Sequence, residues 1–189
     1  MNLRQMRLYY TKETVTDQKG RSRKKLVYHG PVYRLSSAEV KSARKSCWLG
    51  GGVSLFLFIG AGLIGNKGVF NLFVLPFYLM TLLGALYLIS AAVCLGQVKD
   101  TLTEVDLTDG LNLGTRSFGM QQLFGALWVI ADGVWMITAR GGETPLLECV
   151  FMVAGLLMFL LGYFGRRNLK AMKPVKISEG TPIVKGDKL

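Results

Sequence analysis

Histidine occurs once in these 189 residues, at His29, and cysteine three times, at Cys47, Cys94 and Cys149, far apart in the chain. One imidazole builds neither a zinc site nor a catalytic triad without partners. Three scattered thiols make neither a disulfide framework nor a metal motif. His29 therefore reads as a turn residue, and the cysteines read as small packing side chains. No HExxH, GxSxG, CxxC or GKS/T string is present. The chain is expected not to be an enzyme, and no cofactor or metal is expected.

Charge is missing from four long stretches, residues 47–65, 72–96, 121–138 and 146–164, where only Asp132 and Glu148 are formally charged. A bilayer core needs about 20 mostly apolar helical residues, because lipid offers no partner for an unpaired backbone amide. Half of the residues are hydrophobic, and they are concentrated in these runs, so a large soluble core is excluded. The expected fold is an all-α membrane protein: a four-transmembrane-helix bundle of two hairpins with a small β-rich N-terminal segment.

The net charge of +11 flanks the runs: residues 1–46 hold 12 Lys/Arg against 3 Asp/Glu, and residues 166–189 hold 7 against 2. Lys and Arg are retained on the cytoplasmic side. An even number of crossings places both termini there, in the cell or plasma membrane, together with the link 97–120. That link is slightly acidic, with Asp100, Glu104, Asp106 and Asp109 against Lys99 and Arg116. Retention and attraction to anionic headgroups account for the basic ends without nucleic acid. No cleavable signal sequence is visible, so the first span is expected to act as an uncleaved anchor.

Before the first run, residues 1–35 read as extended chain. Arg7-Leu8-Tyr9-Tyr10 and Lys25-Leu26-Val27-Tyr28 are aromatic and β-branched, separated by a polar stretch, residues 11–24, with Asp17, Lys19 and Gly20. This is the pattern of a hairpin with a long loop. Val32-Tyr33, residues 102–107 before a turn at Asp109-Gly110, residues 175–177 and Ile183-Val184 are further strand candidates. A lone hairpin is marginal in water, so a small composite cap is expected. Residues 36–46 read as a juxtamembrane helix, since Ser36 and Glu39 have capping-box spacing. Lys41, Arg44 and Lys45, and Arg166 and Arg167 at the other basic end, are candidate lipid-headgroup contacts.

Within the spans, the glycines of the first (Gly50, Gly51, Gly52, Gly60, Gly62 and Gly65) read as packing positions. Pro76 is expected to bend the second span, and Pro145 to open the fourth in its first turn. Asp132 is the most informative side chain. A carboxylate in mid-membrane costs about 3 kcal/mol on insertion scales. Trp128 and Trp135 lie four residues before it and three after, on one helix face. Two indoles beside a carboxylate can hold a hydrophobic cation; the bland alternative is a protonated or hydrogen-bonded acid inside the bundle. Glu148 reads as structural, reaching water near the outer surface and favoured by the helix dipole.

These observations point first to a non-enzymatic accessory, scaffold or regulatory component whose cap meets another membrane or cytoplasmic protein. The second reading is a small transporter or channel subunit using Asp132. Substrate, partner and oligomeric state are not legible.

Overall fold

In the computed structural model the four apolar runs are four long helices. Residues 9–16, 22–65, 70–98, 101–138, 145–178 and 183–184 are described. The helices are α1 (Ser37–Leu63), α2 (Leu75–Gly96), α3 (Leu113–Thr138) and α4 (Pro145–Ala171). Each is long and apolar enough to cross a membrane. Three are longer than their apolar runs. The expected juxtamembrane helix is the first part of α1, and its capping box forms: Glu39 N donates to Ser36 Oγ at 3.2 Å, and Ser36 N donates to Glu39 Oε2 at 3.0 Å.

The bundle exposes large apolar side chains and buries several polar ones within an otherwise apolar core. Phe56, Leu63, Ile137 and Leu146 are 74–80% exposed, whereas Ser54, Thr81, Gln121, Asp132 and Glu148 are buried. A water-soluble fold reverses this pattern. It is consistent with an integral membrane protein, because lipid accepts an apolar exterior and interior polar groups can find one another.

The helices pack in a ring, each on its chain neighbours with α4 closing on α1. The tightest approach joins α3 to α4. A β-carbon at Gly125 would stand 2.7 Å from the amide nitrogen of Phe159, and one at Gly162 would collide with the backbone of Gln122. Only a residue without a side chain permits such contact. Two core clusters fill the ring. One, around Ala43, Leu88, Leu95 and Phe118, lies toward the helix ends that meet the strands. The other, around Tyr78, Trp128, Phe151 and Met158, lies toward the α1–α2 and α3–α4 connections.

Pro76 falls at the start of α2 and not in its interior. It sits in the first helical turn, where a missing amide hydrogen breaks no bond. Pro145 begins α4 in the same way.

Two small antiparallel sheets cap the strand end of the bundle. In one, β3 (Val32–Arg34) lies between β4 (Thr101–Thr103) and β5 (Val175–Ser178). In the other, β2 (Ser22–Tyr28) lies between β1 (Tyr10–Thr16) and β6 (Ile183–Val184). The N-terminal hairpin is longer than its aromatic ends implied. Tyr10 faces Tyr28, and pairing continues to Thr16 opposite Ser22. Much of the expected loop is therefore strand, since ladder pairing carries polar residues that propensity alone leaves out. Arg7, Leu8, Asp17, Lys19 and Gly20 lie outside the described residues.

The central link differs more. The strand expected over 102–107 ends at Thr103, whose hydroxyl accepts from Asp106 N at 3.2 Å and starts a helical turn, Glu104–Asp106. Six π-helical residues, Leu107–Asn112, lead into α3, so Asp109-Gly110 is not a turn. The wide coil lays Gly110 against Leu95, 2.8 Å from where a β-carbon would stand. Local capping thus overrides the β-branched pattern.

Tyr28 ties the cap together. Its ring is 1% exposed, and its hydroxyl donates to Pro31 O at 3.0 Å while accepting from Glu104 N at 3.0 Å. One phenol thereby joins the hairpin to the α2–α3 link. Burial pushes its pKa from 10.0 up to about 12. A raised folded-state pKa means that this stabilisation is complete below pH 10 and is lost as pH rises through about 12. Tyr28→Phe leaves the Glu104 amide unpaired and is expected to cost about 1–3 kcal/mol of cap stability. Amide exchange in detergent should accelerate at Glu104 and in β1–β2 while α3 and α4 keep their protection.

Candidate functional site

α3 turns one seam inward: Gly114, Phe118, Gln121, Gly125, Trp128 and Asp132 are all buried. Their alternating four- and three-residue spacing is that of a helix face packed on its neighbours. Gln121 donates from Nε2 to Thr81 O at 2.9 Å, and Thr81 Oγ1 donates to Tyr78 O at 2.6 Å. Toward the α3–α4 connection the seam ends at Asp132.

Asp132 is fully buried, and neither carboxylate oxygen has a hydrogen-bond partner among the described residues. The indole nitrogen of Trp128, one turn away, is also without one. Glu148 comes from the first turn of α4 and is 2% exposed. It lies near enough for its charge to act on Asp132. Its burial corrects the sequence reading, in which Glu148 reached water. The helix N-terminus is where it was expected, but α4 presents this side chain inward and leaves Cys149 and Val150 exposed.

An aromatic cluster from all four helices occupies the same end of the bundle as the two acids. The ring of Tyr78 (α2) stacks on Phe58 (α1) at 4.3 Å and meets Trp128 (α3) edge-on at 5.2 Å. Phe151 (α4) packs on Trp128 at 4.7 Å and on Tyr78 at 5.8 Å. The phenol of Tyr78 donates to Phe58 O at 2.6 Å. Phe151 is three residues after Glu148 and Trp128 four before Asp132, so each acid shares a helix face with one ring.

Trp135 stands apart from this group. It is half-buried and lines a cavity of about 680 Å³ with Phe73, Phe77, Ala131, Val134 and Thr138, between the start of α2 and the end of α3. Asp132 and Trp128 are not part of that lining. The three residues that a helical wheel put on one face are therefore divided between the interior and the cavity wall.

The candidate headgroup residues also separate. Lys41 and Lys45 are exposed on α1. Arg44 leans on the end of α2, its guanidinium 3.3 Å from where a β-carbon on Gly96 would be. That position favours a cation beside the helix's last carbonyls. Arg166 and Arg167 line a separate recess on α4. Among the described residues, no three His, Cys, Asp or Glu side chains gather as a metal site.

Comparison with protein families, with curated proteins and with solved structures finds no match. The chemistry must be read from the site itself. The Asp132 carboxyl, buried in an apolar interior with both oxygens unpartnered among the described residues and within the field of a second acid, needs a proton or a cation to offset its burial. The electrostatic coupling of the two acids is expected to appear in a double-mutant cycle of Asp132→Asn and Glu148→Gln. Thermal unfolding in detergent should give a non-additive term of about 0.5–3 kcal/mol. Additive effects would place the carboxyl groups out of reach of each other.

Proposed function

We propose that this chain is a small multi-pass transporter or channel subunit of the cell membrane, in which Asp132 and Glu148 exchange a proton for a cation. One observation carries the reading: a fully buried carboxylate with both oxygens unpartnered, beside a second buried acid. Packing alone does not account for it, because asparagine fills the same volume without the burial of a charge. The aromatic rings offer cation–π attraction. The cavity beside Trp135 has room for a lipophilic cation, and Ala131 in its wall adjoins Asp132.

If the carboxylate works in transport, purified protein in liposomes with an imposed pH gradient moves lipophilic cations. Asp132→Asn should abolish that flux while its thermal unfolding temperature holds or rises. Binding should quench tryptophan fluorescence through Trp128 or Trp135. No quenching across a panel of lipophilic cations, with flux unchanged in a folded Asp132→Asn variant, would remove the reading.

A specific surface favours the accessory reading as a second possibility. β5 is an edge strand with Val175 66% and Ile177 50% exposed, and an open edge pairs readily with another chain. Photocrosslinking from Ile177 in membranes should then yield one discrete heterologous adduct.

Both termini, and with them both sheets, are assigned to the cytoplasmic side by the Lys/Arg excess at residues 1–46 and 166–189. In a background with the three native cysteines replaced by alanine, an impermeant maleimide added to intact cells should label Asn71→Cys and Thr138→Cys. It should spare Ser37→Cys and Lys173→Cys until the membrane is opened. The reverse pattern would invert the topology.

A further inference from the structure

A second built feature lies at the opposite end of the α3–α4 seam from the two acids. Tyr163, Arg166, Arg167 and Lys170 of α4 line a recess of about 430 Å³ with Gln122 of α3. Their spacing of three, four and seven residues from Tyr163 sets them on one stripe of the helix. No carboxylate is among the lining residues, so among the described residues that line it the recess gathers three cations and no acid.

Arg166 is held in place by α3. Its guanidinium donates from Nη1 to Gln122 Oε1 at 3.4 Å, and its Nε and Cζ lie 3.6 Å from where a β-carbon on Gly119 would be. The absence of a side chain at Gly119 gives the planar group room to lie across α3. A guanidinium fixed in this way keeps most of its five donors for a ligand, and its fork matches two oxygens of a phosphate.

Toward the middle of the bundle the same stripe changes character. Leu156 and Leu160 on α4 and Leu123 on α3 are exposed, and Tyr163 stands at the changeover, the level where amphipathic rings mark a membrane interface. The surface therefore joins an anion-binding recess to an apolar wall that faces outward. Free phosphate would use the first part only. A phosphate ester carrying acyl chains uses both.

We propose that this recess is a binding site for the headgroup phosphate of an anionic glycerophospholipid, with the acyl chains lying along Leu123, Leu156 and Leu160. The site requires the four helices to cross a bilayer but is independent of any activity of Asp132. It differs from diffuse attraction to the surface, because Lys41, Arg44 and Lys45 contribute equal formal charge but are not part of this recess.

Native mass spectrometry of the full chain in a mild detergent tests the proposal, with thermal unfolding as a second readout. The probes are phosphatidylglycerol, cardiolipin, phosphatidylcholine and inorganic phosphate. An anionic phospholipid should remain bound as one discrete adduct and raise the unfolding temperature, and phosphatidylcholine should do neither. Equal stabilisation by inorganic phosphate would make this a free-anion site and overturn the lipid assignment. Arg166→Gln with Arg167→Gln and Lys170→Gln should weaken the adduct about a hundredfold. The matched triple Lys41→Gln, Arg44→Gln and Lys45→Gln should leave it largely intact. Equal losses in the two triples would reduce the effect to surface charge and overturn the site. If the first triple fails to fold, Gly119→Leu keeps every charge and displaces Arg166 alone; an unchanged adduct in that variant would also overturn the proposal.

Discussion

A β-carbon at Gly125 would stand 2.7 Å from the Phe159 nitrogen, and one at Gly162 would meet the Gln122 backbone, so α3 and α4 touch through their main chains. That contact determines much of what the molecule can do. It brings the start of α4 close enough to α3 for Glu148 to act on Asp132. At the other end it lets Arg166 reach across to Gln122 and lie over Gly119. Separating the two helices by a single methyl group would disturb both places, because both depend on the same backbone approach. Small residues make this approach possible in a setting where burial of apolar surface between helices gives little driving force.

The interior carries its polar groups in order. Gln121 and Thr81 bond near the middle of the bundle, where amide and hydroxyl are cheap to bury once paired. Trp128 and Asp132 follow on the same seam, each with a polar atom unpartnered among the described residues. Gln121 Oε1 and Ser54 Oγ are unpartnered among the described residues as well, but Asp132 is the group left with both of its oxygens unmet. Unmet hydrogen-bonding capacity next to a pair of acids is where a proton or cation gains most by binding, since the apolar surroundings strengthen every charge interaction.

The cap follows a different rule. None of its strands is stable alone, because each sheet has only three short members. Stability comes from closure between distant segments: β3 before α1, β4 after α2 and β5 after α4 form one sheet. Tyr28 links the other sheet to the turn at Glu104. All four helix ends on that side are thereby tied together, so any movement of α3 against α4 is felt in the strands.

Composition and periodicity determined four apolar helices, the capping box at Ser36, first-turn proline at Pro145 and a strand pair around Tyr10 and Tyr28. All are local: they need about 20 apolar residues, or a cap three residues from its partner, and no knowledge of neighbours. Asp132 stood out for the same reason, as a charge in a run that lacks them. Its true company was not legible. A helical wheel grouped it with Trp135, but the direction of a neighbouring helix decides which part of a face is interior, and that is a tertiary property. Glu148 looked like a first-turn acid near water because sequence separation hides which way α4 is rotated. The π-helical link at Leu107–Asn112 was hidden as well, since it depends on Leu95 packing against Gly110. Arg166 and Gln122 lie 44 residues apart, and only the glycine seam between α3 and α4 makes them neighbours. Charge and hydropathy along the chain determined what each segment had to avoid; the approach of one backbone to another decided which side chains meet.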